Sequence, residues 1–112
     1  MGKKISIAYY LSASAGDERD IELYEVEAAK KFKLESVLIN FENDSNYELE
    51  LSLYRGIKQI LPSSSSYRAY KGNITDVSDE VLDSGERLIL HYKNNNATTA
   101  RQAFILVRGE LE

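Results

Sequence analysis

The chain contains no cysteine and no tryptophan, and only one histidine, one proline and one methionine in 112 residues. Without cysteine there is no disulfide framework, no thiolate nucleophile and no thiolate zinc site, so the fold must stand on its apolar core. His91 alone cannot supply the several nitrogen ligands of a histidine-rich metal site. Serine is plentiful, but no Gly-x-Ser-x-Gly elbow occurs and the lone histidine has no acid partner visible in the sequence, which argues against a Ser-His hydrolase. No cofactor is called for. Enzymatic chemistry is therefore not expected.

Long hydrophobic runs are also missing. No segment approaches the roughly 20 apolar residues that would cross a bilayer. The start, Met1-Gly2-Lys3-Lys4-Ile5-Ser6-Ile7, is basic but soon alternates, so it reads as a first strand and not as a signal peptide. A cytoplasmic or virion-associated protein is the expectation. A net charge of −4 opposes binding to a phosphate backbone. Lys30, Lys31 and Lys33 form only a short cluster at a predicted turn and strand start. Neither nucleic acid nor membrane is expected as a partner.

What is present is an ordinary globular balance of 43% apolar and 29% charged residues. This length suits one domain, able to bury roughly two thirds of its unfolded surface. That domain is expected over 1–110, with Leu111 and Glu112 reading as a possible cloning scar. Period-two alternation is the recurring signal. From Tyr47 to Leu53 every odd position is apolar and every even one polar, which sets one face of a strand in a core and the other in water. Arg87 to Lys93 repeats it, with Leu88, Leu90 and Tyr92 opposite Arg87, His91 and Lys93. The unbroken apolar run Phe104 to Val107 predicts a strand covered on both sides, and Phe32 to Phe41 reads similarly. Ile5 to Leu11 completes the set of strands.

Turn chemistry punctuates these strands. Asn43-Asp44-Ser45-Asn46, Asp83-Ser84-Gly85 and Asn94-Asn95-Asn96 join strand patterns, and Arg55-Gly56-Ile57 reads as a hairpin or bulge into Lys58 to Leu61. Glu22 to Lys33 reads as a strand ending near Glu27 and a turn at Ala29 to Lys31, with a helix as the competing reading. Asp79 to Leu82 could form one helical turn. About eight short strands at regular spacing predict an all-β, antiparallel two-sheet β-sandwich of jelly-roll type.

Candidate sites are few. Two acidic groups, Asp17, Glu18, Asp20 and Glu22, and Asp76, Asp79, Glu80 and Asp83, match no defined calcium loop and read as solvated turn carboxylates, with a structural calcium as the alternative. The Asn-x-Ser/Thr matches at Asn43, Asn73 and Asn96 read as ordinary turn residues. Tyrosine is the distinctive residue, with eight against three phenylalanines. It joins an apolar ring to a polar tip, which suits contact surfaces as well as strand faces. Tyr67, Arg68, Tyr70 and Lys71 sit together in the long irregular stretch Pro62 to Asp76, the candidate binding loop.

Three segments carry a resemblance across most of the chain: Phe32-Lys33-Leu34-Glu35-Ser36-Val37-Leu38-Ile39-Asn40-Phe41, Ser84-Gly85-Glu86-Arg87-Leu88, and Phe104-Ile105-Leu106-Val107-Arg108-Gly109. The layout resembles small jelly-roll β-sandwich accessory proteins of viruses and proviruses or of cell surfaces. That resemblance implies a non-catalytic structural or assembly protein acting through protein–protein contacts or self-association. Carbohydrate-binding modules show a similar outline, and the alternative is a small ligand- or carbohydrate-binding module using the Pro62 to Asp76 loop. The absence of tryptophan departs from the usual sugar-stacking platform of such modules.

Overall fold

The computed structural model describes residues 2–42 and 45–112. Asn43 and Asp44, half of one predicted turn, lie outside the described residues. Strands in chain order are β1 (Lys3–Ala13), β2 (Glu18–Glu25), β3 (Phe32–Phe41), β4 (Leu49–Arg55), β5 (Lys58–Leu61), β6 (Gly72–Val77), β7 (Val81–Leu82), β8 (Arg87–Asn94) and β9 (Arg101–Leu111). They form two antiparallel sheets, β1-β9-β3-β6 with β7 also paired to β3, and β2-β8-β4-β5. Among the described residues no helix is long and apolar enough to cross a membrane.

With the two-residue β7 set aside, the first strand pairs the last, the second the next to last, the third β6, and the fourth its hairpin partner β5. This nesting is one long antiparallel ribbon folded over itself, the jelly-roll arrangement that the strand spacing predicts. It places the inward residues of alternate strands face to face. Phe32, Leu34, Ile39 and Phe41 of β3 meet Leu49, Leu51 and Leu53 of β4 and Leu88 and Leu90 of β8 in one buried cluster.

Alternation decides which residues enter that core. In β8 the pattern exposed, buried, half-buried, buried puts Leu88, Leu90, Tyr92 and Asn94 inside, as the period of two requires. The runs Phe32 to Phe41 and Phe104 to Val107 behave differently from the expectation of two covered faces. Ala103, Ile105 and Val107 are buried, but Phe104 and Leu106 between them are only half-buried. Leu38 on β3 is also half-buried. Their outward side is not covered by a second layer, because a two-sheet sandwich gives each sheet only one inner face.

The central strand β9 is tightly flanked. A Cβ on Gly109 would lie 2.4 Å from the Lys33 carbonyl oxygen and 2.4 Å from the Phe32 ring, so glycine is what lets β3 close on β9 here. One extra residue, Glu35, bulges β3 between Leu34 and Ser36 where it pairs with β9.

Several sequence expectations change. The ambiguous segment is extended up to Glu25 and turns through Ala29, whose φ of 64° lies in the left-handed region. Asp79 to Leu82 is not helical: Val81 and Leu82 are the short strand β7, held against Phe32 and Lys33. Tyr47 belongs to the turn before β4, with a φ of 60°, so the strand begins two residues later than its alternation suggests. Leu111 pairs with both Lys3 and Phe32, and the Glu112 and Lys31 backbones exchange hydrogen bonds of 2.8 and 2.9 Å.

Candidate functional site

The stretch Pro62 to Asp76 divides into a loop and the edge strand β6, which pairs with β3 from Gly72 onward. Tyr67 forms a bridge to β4 inside this stretch: its N–H donates to the Leu51 carbonyl at 2.7 Å and its carbonyl accepts from Leu51 at 3.0 Å. That bridge turns the ring into the core, where Tyr67 is 6% exposed and its hydroxyl donates to Asp76 at 2.8 Å. Burial and this carboxylate push its pKa far up. Arg68 turns outward and donates from Nε to the Tyr47 carbonyl at 2.8 Å. Tyr70 and Lys71 are exposed. The four residues grouped by sequence are therefore not one patch, since alternation about the bridge sends Tyr67 in and Arg68 out.

The outer face of the β1-β9-β3-β6 sheet has an apolar centre. Register places Ala8, Leu106, Leu38 and Thr75 in one row across four strands. The row on one side of it is Tyr10, Phe104, Asn40 and Asn73, and the row on the other is Ser6, Arg108, Ser36 and Val77, the last 74% exposed. A shallow hollow of about 180 Å³ opens between Leu38, Thr75, Leu106 and Arg108. At one end Lys4 bridges Glu35 at 2.6 Å and Glu110 at 3.4 Å.

This face runs out to an open edge. Among the described residues β1 pairs only with β9, leaving the other side of its 11 residues unpaired. Its register with β9 is continuous from Lys3 to Ala13 and contains no bulge and no proline. Both edges of the other sheet carry guards. β2 is bulged between Glu22 and Tyr24 and is mostly charged, while β5 is four residues long.

On the opposite sheet, β2-β8-β4-β5, the outward His91 lies between two carboxylates. Its Nδ1 is 2.6 Å from Asp20 Oδ1 and its Nε2 is 3.0 Å from Glu18 Oε2. Those acids stand 71 and 73 residues earlier, so only the β2–β8 pairing reveals them. Both ring nitrogens therefore have a carboxylate oxygen as neighbour. Glu80, Asp83 and Glu86 surround the Arg55 guanidinium at 3.1, 3.7 and 2.8 Å. The guanidinium holds the Glu86 carboxyl below the usual carboxylate range. Among the described residues no group of three or more acidic or histidine side chains could hold a metal ion.

No protein-family model and no curated protein matches the chain. Solved structures do. The acid-stable capsid structure of Helicobacter pylori bacteriophage KHP30 aligns with a TM-score of 0.58 at 13% identity, over 98% of this chain and 93% of that one. The capsid asymmetric unit of cyanophage Pam1 aligns with a TM-score of 0.57 at 11% identity, over 97% and 85%. The structure of FLHE aligns with a TM-score of 0.53 at 9% identity, over 96% of each chain. The fold is the jelly roll of viral capsid proteins. At these identities the likeness is one of fold.

Proposed function

We propose that this protein is a non-catalytic structural component, of viral or proviral origin, that assembles with further copies of itself through β1 and the adjoining outer face of its sheet. The observation that carries this reading is the long, unpaired and unbulged β1 edge, whose only charges are Lys3 and Lys4 at one end, continuous with the apolar row Ala8, Leu106 and Leu38. Two neighbours of the same fold come from phage capsids, which supports assembly by analogy.

An antiparallel pairing of β1 with its copy about a two-fold axis through Ile7 is self-complementary. Ile5 then faces Tyr9, Lys3 faces Leu11, Lys4 faces Tyr10 and Ser6 faces Ala8. No like charges meet, which would otherwise oppose the pairing. Ile5, Ile7 and Tyr9, half-buried on the single subunit, gain cover, and the outer faces of the two sheets become one surface.

Light scattering across a concentration series reads the outcome. The wild-type chain should form a discrete dimer or larger oligomer, and Ile7→Lys, an inward charge on the edge, should return it to monomer with an unchanged circular dichroism spectrum. Since the chain has no cysteine, Ile7→Cys provides a clean second measurement: it should oxidise to a disulfide dimer, whereas Val77→Cys on the opposite edge should not. A wild-type monomer at all concentrations, or an oligomer indifferent to Ile7→Lys, would overturn the proposal.

A further inference from the structure

The outer face of the β2-β8-β4-β5 sheet carries a cleft of about 280 Å³ that plays no part in the assembly just described. It lies against the low end of the roughly 300–1,000 Å³ typical of small-ligand pockets. Its floor is the cross-strand pair Ser52 and His91. Glu50, Lys93 and Glu18 line one end and Tyr54 and Gln59 the other, while Ser65 and Ser66 form the overhanging wall.

That wall is built and not incidental. Gln59 Nε2 donates to the Pro62 carbonyl at 2.9 Å and the Ser65 carbonyl at 2.8 Å, fixing the serine loop beside the sheet. Ser66 Oγ donates to Glu50 Oε1 at 2.9 Å, and Asn95 Nδ2 to Glu50 Oε2 at 2.6 Å. These donors hold the Glu50 carboxyl below its ordinary range, Asn95 most strongly. His91 is pinned by Asp20 and Glu18, so the floor is rigid. Against this order, the Ser52 hydroxyl has no hydrogen-bond partner among the described residues although the residue is only 4% exposed. Its oxygen is open to the cleft, with one donor and two acceptor positions free. Lys93 likewise forms no ion pair among the described residues.

The chemistry of these groups selects a class of ligand. Two carboxylates, Glu18 and Glu50, oppose an anion. A predominantly polar lining gives an apolar molecule little to bury against. A neutral polyhydroxylated ring matches what is offered: its hydroxyls donate to Glu50 and Glu18, accept from Lys93 and Ser52, and its C–H face packs on the Tyr54 ring. We propose that this cleft binds a single saccharide ring, with the serine loop as its wall and Ser52 as its floor.

Saturation-transfer NMR with a panel of neutral methyl hexosides and methyl N-acetylhexosaminides tests this, alongside an array of neutral oligosaccharides. At least one should bind, and Ser52→Val and Tyr54→Leu should each weaken binding by roughly tenfold or more, what the loss of one or two good contacts gives. Lys93→Met, at the exposed rim, should do the same without touching the sheet floor. Tyr70→Ala, outside the cleft, should leave binding unchanged. No response from any saccharide would overturn the inference, as would binding that survives Ser52→Val, Tyr54→Leu and Lys93→Met. The oligomeric state of each variant reads the assembly proposal separately.

Discussion

Tyr67 donates a 2.8 Å hydrogen bond from inside the sandwich to Asp76 on the edge strand β6. The bond ties the loop after β5 to the opposite sheet, because the Tyr67 backbone pairs with β4 while Asp76 lies opposite Val37 of β3. Tyr67→Phe should cost about 1–2 kcal/mol by leaving the carboxylate without its donor. Tyr67→Ala should cost about 3–5 kcal/mol by adding a cavity. Urea unfolding monitored by circular dichroism measures both.

The same pair fixes a pH dependence. The phenol is held protonated above its ordinary value, so its contribution is fully present below pH ~10, the usual tyrosine range, and is lost as the pH rises beyond it. Wild-type stability should fall across that alkaline range more steeply than that of Tyr67→Phe. Ultraviolet titration of the phenolates should show one tyrosine ionising only as the fold is lost.

Asn94 carries the junction at one end of the sandwich. It is 1% exposed, and its amide lies 3.2 Å from the Ala13 and Ser14 carbonyls and 3.0 Å from that of Thr99, while Oδ1 accepts from the Asn96 backbone at 3.0 Å. Asn94→Ala should destabilise by about 1–3 kcal/mol through unsatisfied buried carbonyls. Asn94→Asp should be worse at neutral pH, where a carboxylate would face those carbonyls with no proton to give, and should recover part of the loss in acid. Thermal unfolding of the two variants at both pH values separates these outcomes.

Gly109 lies on β9 opposite Leu34 of β3, with the Lys33 carbonyl and the Phe32 ring where a Cβ would stand. Gly109→Ala must push its methyl into the Lys33 carbonyl and the Phe32 ring, and backbone cannot yield as a flexible side chain would. A loss of about 1–3 kcal/mol in chemical denaturation is expected. Gly56→Ala makes a useful comparison, since that site, with a φ of 60°, has open space around it and its cost would be conformational alone.

Strands with strong alternation were legible in the sequence, and weak ones were not. Leu49–Arg55 and Arg87–Asn94 each send several large side chains to one face, so their period shows. Gly72–Val77 sends inward only Ile74 and Asp76, both half-buried, and reads as loop because a polar edge strand leaves so little apolar signal. The tyrosine-bearing loop was visible as a segment. Which of its rings faces outward was not, because one backbone bridge from Tyr67 to Leu51 sets that parity.

The sequence by itself determined an all-β sandwich, the absence of thiol chemistry and of histidine-rich metal sites, and most strand faces. These follow from residue type and from a period of two, both local properties. Only the tertiary structure decided that Leu38, Leu106 and Ala8 align across three strands, that β1 is left as an open edge, and that His91 meets acids more than 70 residues away. Nested pairing brings together residues remote in the chain, and that register is set by how the whole ribbon folds over its core.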